Sequence, residues 1–245
     1  MDMWSAELAA DEPALLRRLS SLCRLNEEEE CAVLRELGPP QQLRRGEEVV
    51  TEGAHISVVH IMSSGMACRY RILGNGQRQI ISLLLPGDII DFSSPVSDIA
   101  DHSVSTLTRC EVVCIRLDLL RSLVTSYPNL RTALWRYSLS QGSIFQSWLI
   151  NLRRRNAAER LAHLLCEQFI RLKRIGLTDD SCPFGLPIAQ SDLADATAMS
   201  SVHVNRTLQS MRDRRLIGRN PALVEILDWD GLCELAEFDP AYLSG

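Results

Sequence analysis

Between Gln41 and Arg116 the chain alternates apolar and polar residues with a period of two and is cut repeatedly by glycine, so long helices are excluded there. Val49, Val58, Ile61, Ile72, Ile80, Leu83, Ile89, Val104, Val112 and Ile115 anchor short apolar runs. Gly46, Gly53, Gly65, Gly74, Gly76 and Gly87 separate them. Short strands with a turn signal about every 8–12 residues fold as a β-sandwich or barrel. Asn75-Gly76 reads as a hairpin turn, since both central residues tolerate φ > 0. Pro86-Gly87-Asp88 marks a second turn.

The flanks switch to helical spacing. Residues 13–37 hold two helical pieces broken near Leu25-Asn26, with Asn26 as cap and Glu27–Glu30 in the first turn, where the helix dipole favours acids. Leu117 to Tyr127 is a short amphipathic helix that stops before Pro128. Then Leu130, Leu134, Tyr137, Gln141, Ile144 and Trp148 recur at spacings of 4, 3, 4, 3 and 4, a heptad seam. Such a stripe serves either a helix packed on its own barrel or a two-helix dimer, and the dimer is the expectation, with Gln141 as its polar layer. Arg153-Arg154-Arg155 interrupts the seam, and Asn156 caps a helix over Ala157 to Lys173. Ile175 to Gly185 is a loop, followed by a short strand at Leu186-Pro187-Ile188.

From Gln190 to Arg215 the chain reads as two short helices with a tight break at Ala198-Met199, Ser200 or Ser201 capping the second. Val204, Leu208 and Met211 form its apolar stripe at i, i+4 and i+7. The opposite face carries Ser201, Val202, Asn205, Arg206, Gln209 and Arg212, which can hydrogen-bond base edges or meet a thymine methyl. This is the pattern of a helix-turn-helix, with Ala198 where the turn often has Gly. Leu216-Ile217, a turn at Arg219-Asn220-Pro221, and Leu223 to Ile226 read as a β-hairpin wing. Trp229 to Phe238 gives a last short helix.

Charge follows the same division. The chain carries a net −5, yet residues 151–220 hold twelve Lys and Arg against seven acids, while the remainder holds fourteen against twenty-four. Positive charge is thus gathered around the helix-turn-helix, as phosphate binding requires. Lys173 is the sole lysine. No apolar run reaches the ~18–20 residues of a membrane span, and the acidic N-terminus lacks a signal pattern, so a cytoplasmic protein is expected.

The runs R-R-G-E-x-V-x-x-E-G (Arg44 to Gly53), I-M-S-S-G (Ile61 to Gly65), N-G-Q-R-Q-I (Asn75 to Ile80) and L-L-P-G-D-I-I (Leu84 to Ile90) resemble a cyclic-nucleotide-binding double-stranded β-helix. Followed by a helix-turn-helix, this is similar to the Crp–Fnr family of bacterial transcription regulators, over roughly residues 15–230. The resemblance implies an α+β chain in three parts: a jelly-roll sensor over 1–127, a dimerisation helix over 128–152, and a winged helix-turn-helix over 153–245. It implies a homodimer on palindromic double-stranded DNA, with RNA polymerase as a further partner.

Members that bind cyclic AMP carry Gly-Glu after the P-G-D strand and an Arg-bearing element later, for the ribose and the cyclic phosphate. Here Asp91-Phe92 and His102-Ser103-Val104 stand in those places, and Asp91, Asp98 and Asp101 would repel a phosphate. That argues against cyclic AMP. Iron–sulfur members use clustered N-terminal cysteines plus one in the barrel. Cys23, Cys31, Cys68 and Cys110 lack that spacing, and no C-x-x-C occurs among the eight cysteines. Cys110 and Cys114 share a strand face ~13 Å apart and cannot bridge. A haem ligand among His55, His60 and His102 stays open.

No catalytic triad order, metal-ligand cluster or phosphate loop is present, so an enzyme is not expected. The reading is a dimeric DNA-binding regulator; the alternative is a small-molecule or redox sensor acting through protein contacts. Base readers are expected to be Ser201, Val202, Asn205, Arg206 and Gln209, with Val202 where related members often carry Glu. Gln190, Ser191, Thr207, Arg219 and Asn220 are expected on phosphates.

Overall fold

The computed structural model describes residues 12–91, 98–178, 184–220 and 223–243. The chain forms two compact units. One holds the described residues up to Arg71 together with Ser82–Gln141; the other holds Ile72–Ile81 and the described residues from Gly142 on.

The first unit opens with helices α1 (Ala14–Leu22) and α2 (Glu27–Glu36). Asn26 caps α2 as expected: its side chain accepts from the Glu29 N–H at 2.9 Å, and Glu29 returns the bond to the Asn26 N–H at 3.0 Å. Among the described residues seven strands follow along the chain: β1 (Gln41–Leu43), β2 (Glu48–Val50), β3 (Val58–Ser64), β4 (Ala67–Ile72), β5 (Arg78–Leu84), β6 (Ser103–Thr106) and β7 (Cys110–Arg116), with Ile72 of β4 and Arg78–Ile81 of β5 falling to the second unit. They form two sheets, of order β1-β7-β3 and β2-β6-β4-β5, a jelly-roll in which sequence-distant strands pair antiparallel. Met62, Ala67, Leu84, Ile90, Val104, Cys110 and Val112 close the space between the sheets.

Glycine is required at the tight approaches. Gly65 sits at φ 83°, and a Cβ there would come within 2.4 Å of the Arg109 carbonyl. At the Asn75-Gly76 turn only Gly76 takes positive φ, at 80°, because Asn75 uses its side chain to accept from the Gln77 N–H at 3.0 Å. Asp88 anchors the second turn by accepting from the Leu85 N–H at 2.8 Å and pairing with Arg18 of α1 at 3.1 Å.

Helix α3 (Leu117–Ser126) ends before Pro128, and α4 runs from Pro128 to Arg154. The division between the two units falls inside α4, between Gln141 and Gly142. Here one expectation is corrected. Leu130, Leu134, Tyr137, Gln141, Ile144 and Trp148 are each at most 8% exposed within the single chain, so they are not a surface seam. Leu130, Leu134 and Tyr137 pack with α1, α2, β3 and α3, and the Tyr137 hydroxyl accepts from the Ile89 N–H at 3.1 Å. Trp148 donates its indole N–H to Glu167 at 3.0 Å. The heptad spacing marked a buried stripe, and the chain's own core covers it. The face left in solvent carries Trp135, Leu139, Phe145, Leu149 and Ile150, at 40–68% exposure.

In the second unit, helix α5 (Ala157–Arg174) starts from a capping box in which Asn156 accepts from the Ala158 and Glu159 N–H groups. After it come β8 (Phe184–Leu186), α6 (Gln190–Thr197), α7 (Ser201–Asp213), β9 (Val224–Ile226), α8 (Trp229–Ala236) and a 3-10 turn at Pro240–Leu243. The strand expected at Leu186-Pro187-Ile188 lies earlier, since Pro187 offers no N–H to a ladder. Buried Glu167 gathers donors from Trp148, Gln168 and Tyr242, tying α4, α5 and the chain's last described turn together. Burial pushes its carboxyl above the ordinary range despite Arg171 beside it. Among the described residues no helix is long and apolar enough to cross a membrane.

Candidate nucleic-acid interface

Two short helices frame the interface, and the break between them is set by one residue. Ala198 holds α6's C-terminus in the left-handed region at φ 51°, ψ 44°, a place where Gly would carry no steric cost. The Arg160 guanidinium fastens this corner by donating to the Thr197 carbonyl at 2.7 Å. Ser200, not Ser201, is the cap of α7: its hydroxyl accepts from the His203 N–H at 3.2 Å. Val204, Leu208 and Met211 lie buried at 1% exposure or less, which fixes the rotation of α7 about its axis.

That rotation sends Ser201, Val202, Asn205, Arg206 and Gln209 into solvent as one row, with Val202 72% exposed. His203 and Ser210 join the exposed face, and the sequence reading had omitted both. Two of the row are pre-positioned by hydrogen bonds. Asn205 donates to the Gln190 side chain at 2.9 Å, linking α7 to the start of α6, and Gln209 donates to Asp213 at 3.1 Å. A groove along this face is lined by Val202, Asn205, Arg206, Gln209, Asp213 and Arg214.

The expected phosphate residues divide. Gln190 and Ser191 open α6, with Ser191 exposed, and Arg219 and Asn220 are exposed in the wing. Thr207 is a correction: it is buried, and its hydroxyl is spent on the His203 carbonyl at 2.8 Å, so it faces the core of the unit. An i→i−4 hydroxyl bond of this kind is what a helical threonine makes when no external acceptor is in reach. The wing itself is held by the Gly218 N–H donating to the Glu225 carbonyl at 2.7 Å and by an Ile217–Ile226 bridge. Arg212 reaches the Gly218 carbonyl at 3.3 Å and so joins α7 to the wing. Pro221 lies outside the described residues.

Among the described residues, the positions where the family's cyclic AMP contacts fall hold other groups. Where a ribose-binding Glu would follow the P-G-D strand there is Asp91, wholly buried, and Phe92 lies outside the described residues. Ser103 is committed to the Glu52 N–H at 2.9 Å, Val104 lies in the core, and His102 pairs with Asp101 at 2.5 Å. None of these offers a phosphate a fixed cation. Arg69 of β4 is buried close by and donates to the Ile89 and Ile90 carbonyls, just before Asp91. Of the four cysteines weighed as cluster ligands, Cys110 is buried with its thiol donating to the Met66 carbonyl at 3.1 Å, and burial raises its pKa, which disfavours the thiolate at that position. No group of three or more His, Cys, Asp and Glu able to hold a metal occurs among the described residues.

Comparison with known proteins places both halves. Residues 40–127 match the model of the cyclic nucleotide-binding domain, and residues 159–235 match that of the Crp-like helix-turn-helix domain. The chain is 28% identical over 187 residues to the nitrogen fixation regulation protein FixK of Azorhizobium caulinodans, covering 76% of this chain and 73% of that protein. It is 23% identical to the transcriptional activator protein FnrL of Cereibacter sphaeroides, covering 80% and 79%. Its fold superposes on FixK2 from Bradyrhizobium japonicum with a TM-score of 0.71 at 20% identity, over 80% of this chain and 96% of that one.

Proposed function

This chain belongs to the Crp–Fnr family of DNA-binding transcription regulators, and we propose that it reads a palindromic operator as a homodimer through α7. One observation supports this most directly. The apolar stripe Val204, Leu208 and Met211 is buried, so the polar row of the same helix is free to enter a major groove. Arg206 is assigned to guanine O6 and N7, with Ser201, Val202, Asn205 and Gln209 on neighbouring base edges. Val202 offers only apolar surface and suits a thymine methyl. Gln190 and Ser191 at the α6 N-terminus, with Arg219 and Asn220 in the wing, touch the backbone.

A palindrome needs two copies, and the solvent face of α4 supplies the contact. Trp135, Leu139, Gly142, Gln146 and Leu149 recur at spacings of 4, 3, 4 and 3 along it. A Cβ added at Gly142 would meet nothing beyond its own stretch of helix within 4 Å, which leaves room for a second helix to approach closely. A glycine inside an exposed helix costs roughly 1 kcal/mol relative to Ala, a cost that a close helix–helix approach accounts for. The regulator acts in the cytoplasm, by binding alone, with RNA polymerase as its downstream partner.

Gel shifts on duplexes selected from a randomised palindromic library test the reading. A steep fall of affinity with salt, together with discrimination against random duplex, is expected. Equal, weak binding to every duplex would mean that the output is a protein contact instead.

A further inference from the structure

Arg69 lies where a guanidinium is costly. Ala67 of β4 belongs to the interior cluster between the sheets, and Arg69, two residues on, shares its face and is 3% exposed. A buried cation is tolerated only when its donors are taken up. Here each nitrogen has an acceptor. Nη2 donates to the Ile89 carbonyl at 2.7 Å, Nε to the Ile90 carbonyl at 3.2 Å, and Nη1 to the Gln141 side-chain oxygen at 3.0 Å. One side chain thus joins three elements: strand β4, the segment after the P-G-D turn, and helix α4.

The segment it holds, Ile89–Ile90, immediately precedes the position at which cyclic AMP-binding relatives of the fold carry their ribose-binding Gly-Glu. The planar fork therefore sits at the edge of the nucleotide's place and bonds to the helix that leads toward the DNA-binding unit. We propose that Arg69 is a built-in occupant of the sensor interior: it locks barrel to α4 through Gln141 and makes operator binding independent of any cyclic nucleotide. A nucleotide entering this space would have to break three charge-assisted hydrogen bonds and leave a guanidinium buried without them. Gln141 gains a role here too. It is the polar residue of an otherwise apolar stripe because it accepts from Arg69.

This inference rests on the reading of the chain as a DNA-binding regulator, and the test separates the two. Wild type, Arg69→Ala, Arg69→Lys and Gln141→Leu are compared on a duplex selected by the wild type, with and without cyclic AMP or cyclic GMP. Amide exchange of α4 around Gln141 is measured in parallel. The wild type should bind equally with and without either nucleotide. Arg69→Ala should lose about tenfold or more in affinity, the scale of a lost charged hydrogen bond. Millimolar methylguanidinium should restore much of that loss, exchange around Gln141 should accelerate, and Arg69→Lys should fall between.

Should Arg69→Ala fail to fold, Gln141→Leu leaves the barrel filled and severs only the α4 bond, with the same loss expected. Unchanged affinity and unchanged exchange in Gln141→Leu, or a wild type tightened by either nucleotide, would overturn the proposal. A wild type that selects no duplex would defeat the DNA reading, while the exchange measurement would still decide whether Arg69 couples barrel to helix.

Discussion

Leu139→Glu separates the two faces of α4. Leu139 is 68% exposed in the single chain, beside Trp135 at 67% and Leu149 at 64%. Burying a whole leucine side chain contributes about 1.5–3 kcal/mol, so the exposed two-thirds amounts to roughly 1–2 kcal/mol per copy and roughly 2–4 kcal/mol across a two-fold axis. Glutamate removes that term and sets like charges facing each other. The dimer should weaken by at least about 30- to 1,000-fold. Sedimentation at micromolar concentration should then show a monomer with unchanged circular dichroism and no palindrome binding. Ile144→Glu is the contrast. Ile144 is 4% exposed against its own chain, so a carboxylate there should unfold the protein rather than divide a dimer. A Leu139→Glu protein of unchanged mass would refute the assignment. So would a folded, monomeric Ile144→Glu, which would return the seam to the buried stripe.

Arg206→Ala should cost about 1–3 kcal/mol of operator affinity and relax specificity at one base pair per half-site; an equal loss on every duplex in a selection experiment would make Arg206 a phosphate contact. Ala198→Gly should relieve the left-handed strain at φ 51° and raise Tm by about 1–3 °C in a calorimetric scan, since the position is exposed and no side-chain packing is lost; a lower Tm would show that the extra freedom of glycine in the unfolded chain outweighs the strain. His163 predicts a pH dependence. Burial, then nearby Arg155, lowers its pKa to about 4, and its ring stacks on Tyr242 with centroids 5.9 Å apart. A folded pKa below the unfolded value of ~6.5 means that the unfolded chain binds the extra proton between those limits. The stability contribution is therefore full above pH ~6.5 and is lost as pH falls toward 4, by about 3 kcal/mol. Glu167, whose pKa is raised, acts in the opposite direction, so the measurement is the wild type against His163→Gln in urea across pH 4–7. Parallel curves for the two proteins would remove His163 from the account.

Local rules were legible in the sequence wherever the backbone itself enforced them. Asn26 and Asn156 announced helix starts because an Asx side chain followed three residues later by Glu closes a reciprocal pair of hydrogen bonds within four residues. The glycines announced turns because Gly46, Gly53, Gly65, Gly76 and Gly87 each stand at positive φ. Gly74 does not, and at Asn75 a side-chain bond substitutes for the backbone conformation that the dipeptide suggested. Ser200 and Ser201 could not be told apart, since either hydroxyl can cap and only the helix's actual start decides between them.

The site was legible in its rotation but not in its partners. Periodicity says which residues of a helix are buried together, and for α7 that was enough: once Val204, Leu208 and Met211 turn inward, the exposed row follows by geometry. Thr207 escaped because a threonine suits either a phosphate or its own helix carbonyl, and its place beside Leu208 selects the second. For α4 the same logic identified the stripe and misassigned its partner, because an apolar row carries no mark of whether its own barrel or a second chain covers it. The discriminating signal lay on the other face, where Trp135, Leu139 and Leu149 make a second apolar row that a monomer would leave wet. On the proposed dimer, the two apolar faces of α4 have two partners, and a polar residue in one of them shows which partner is internal. Gln141 bonds to Arg69 of its own chain, so the face that carries it belongs to the barrel, and the proposal gives the opposite face to the second copy.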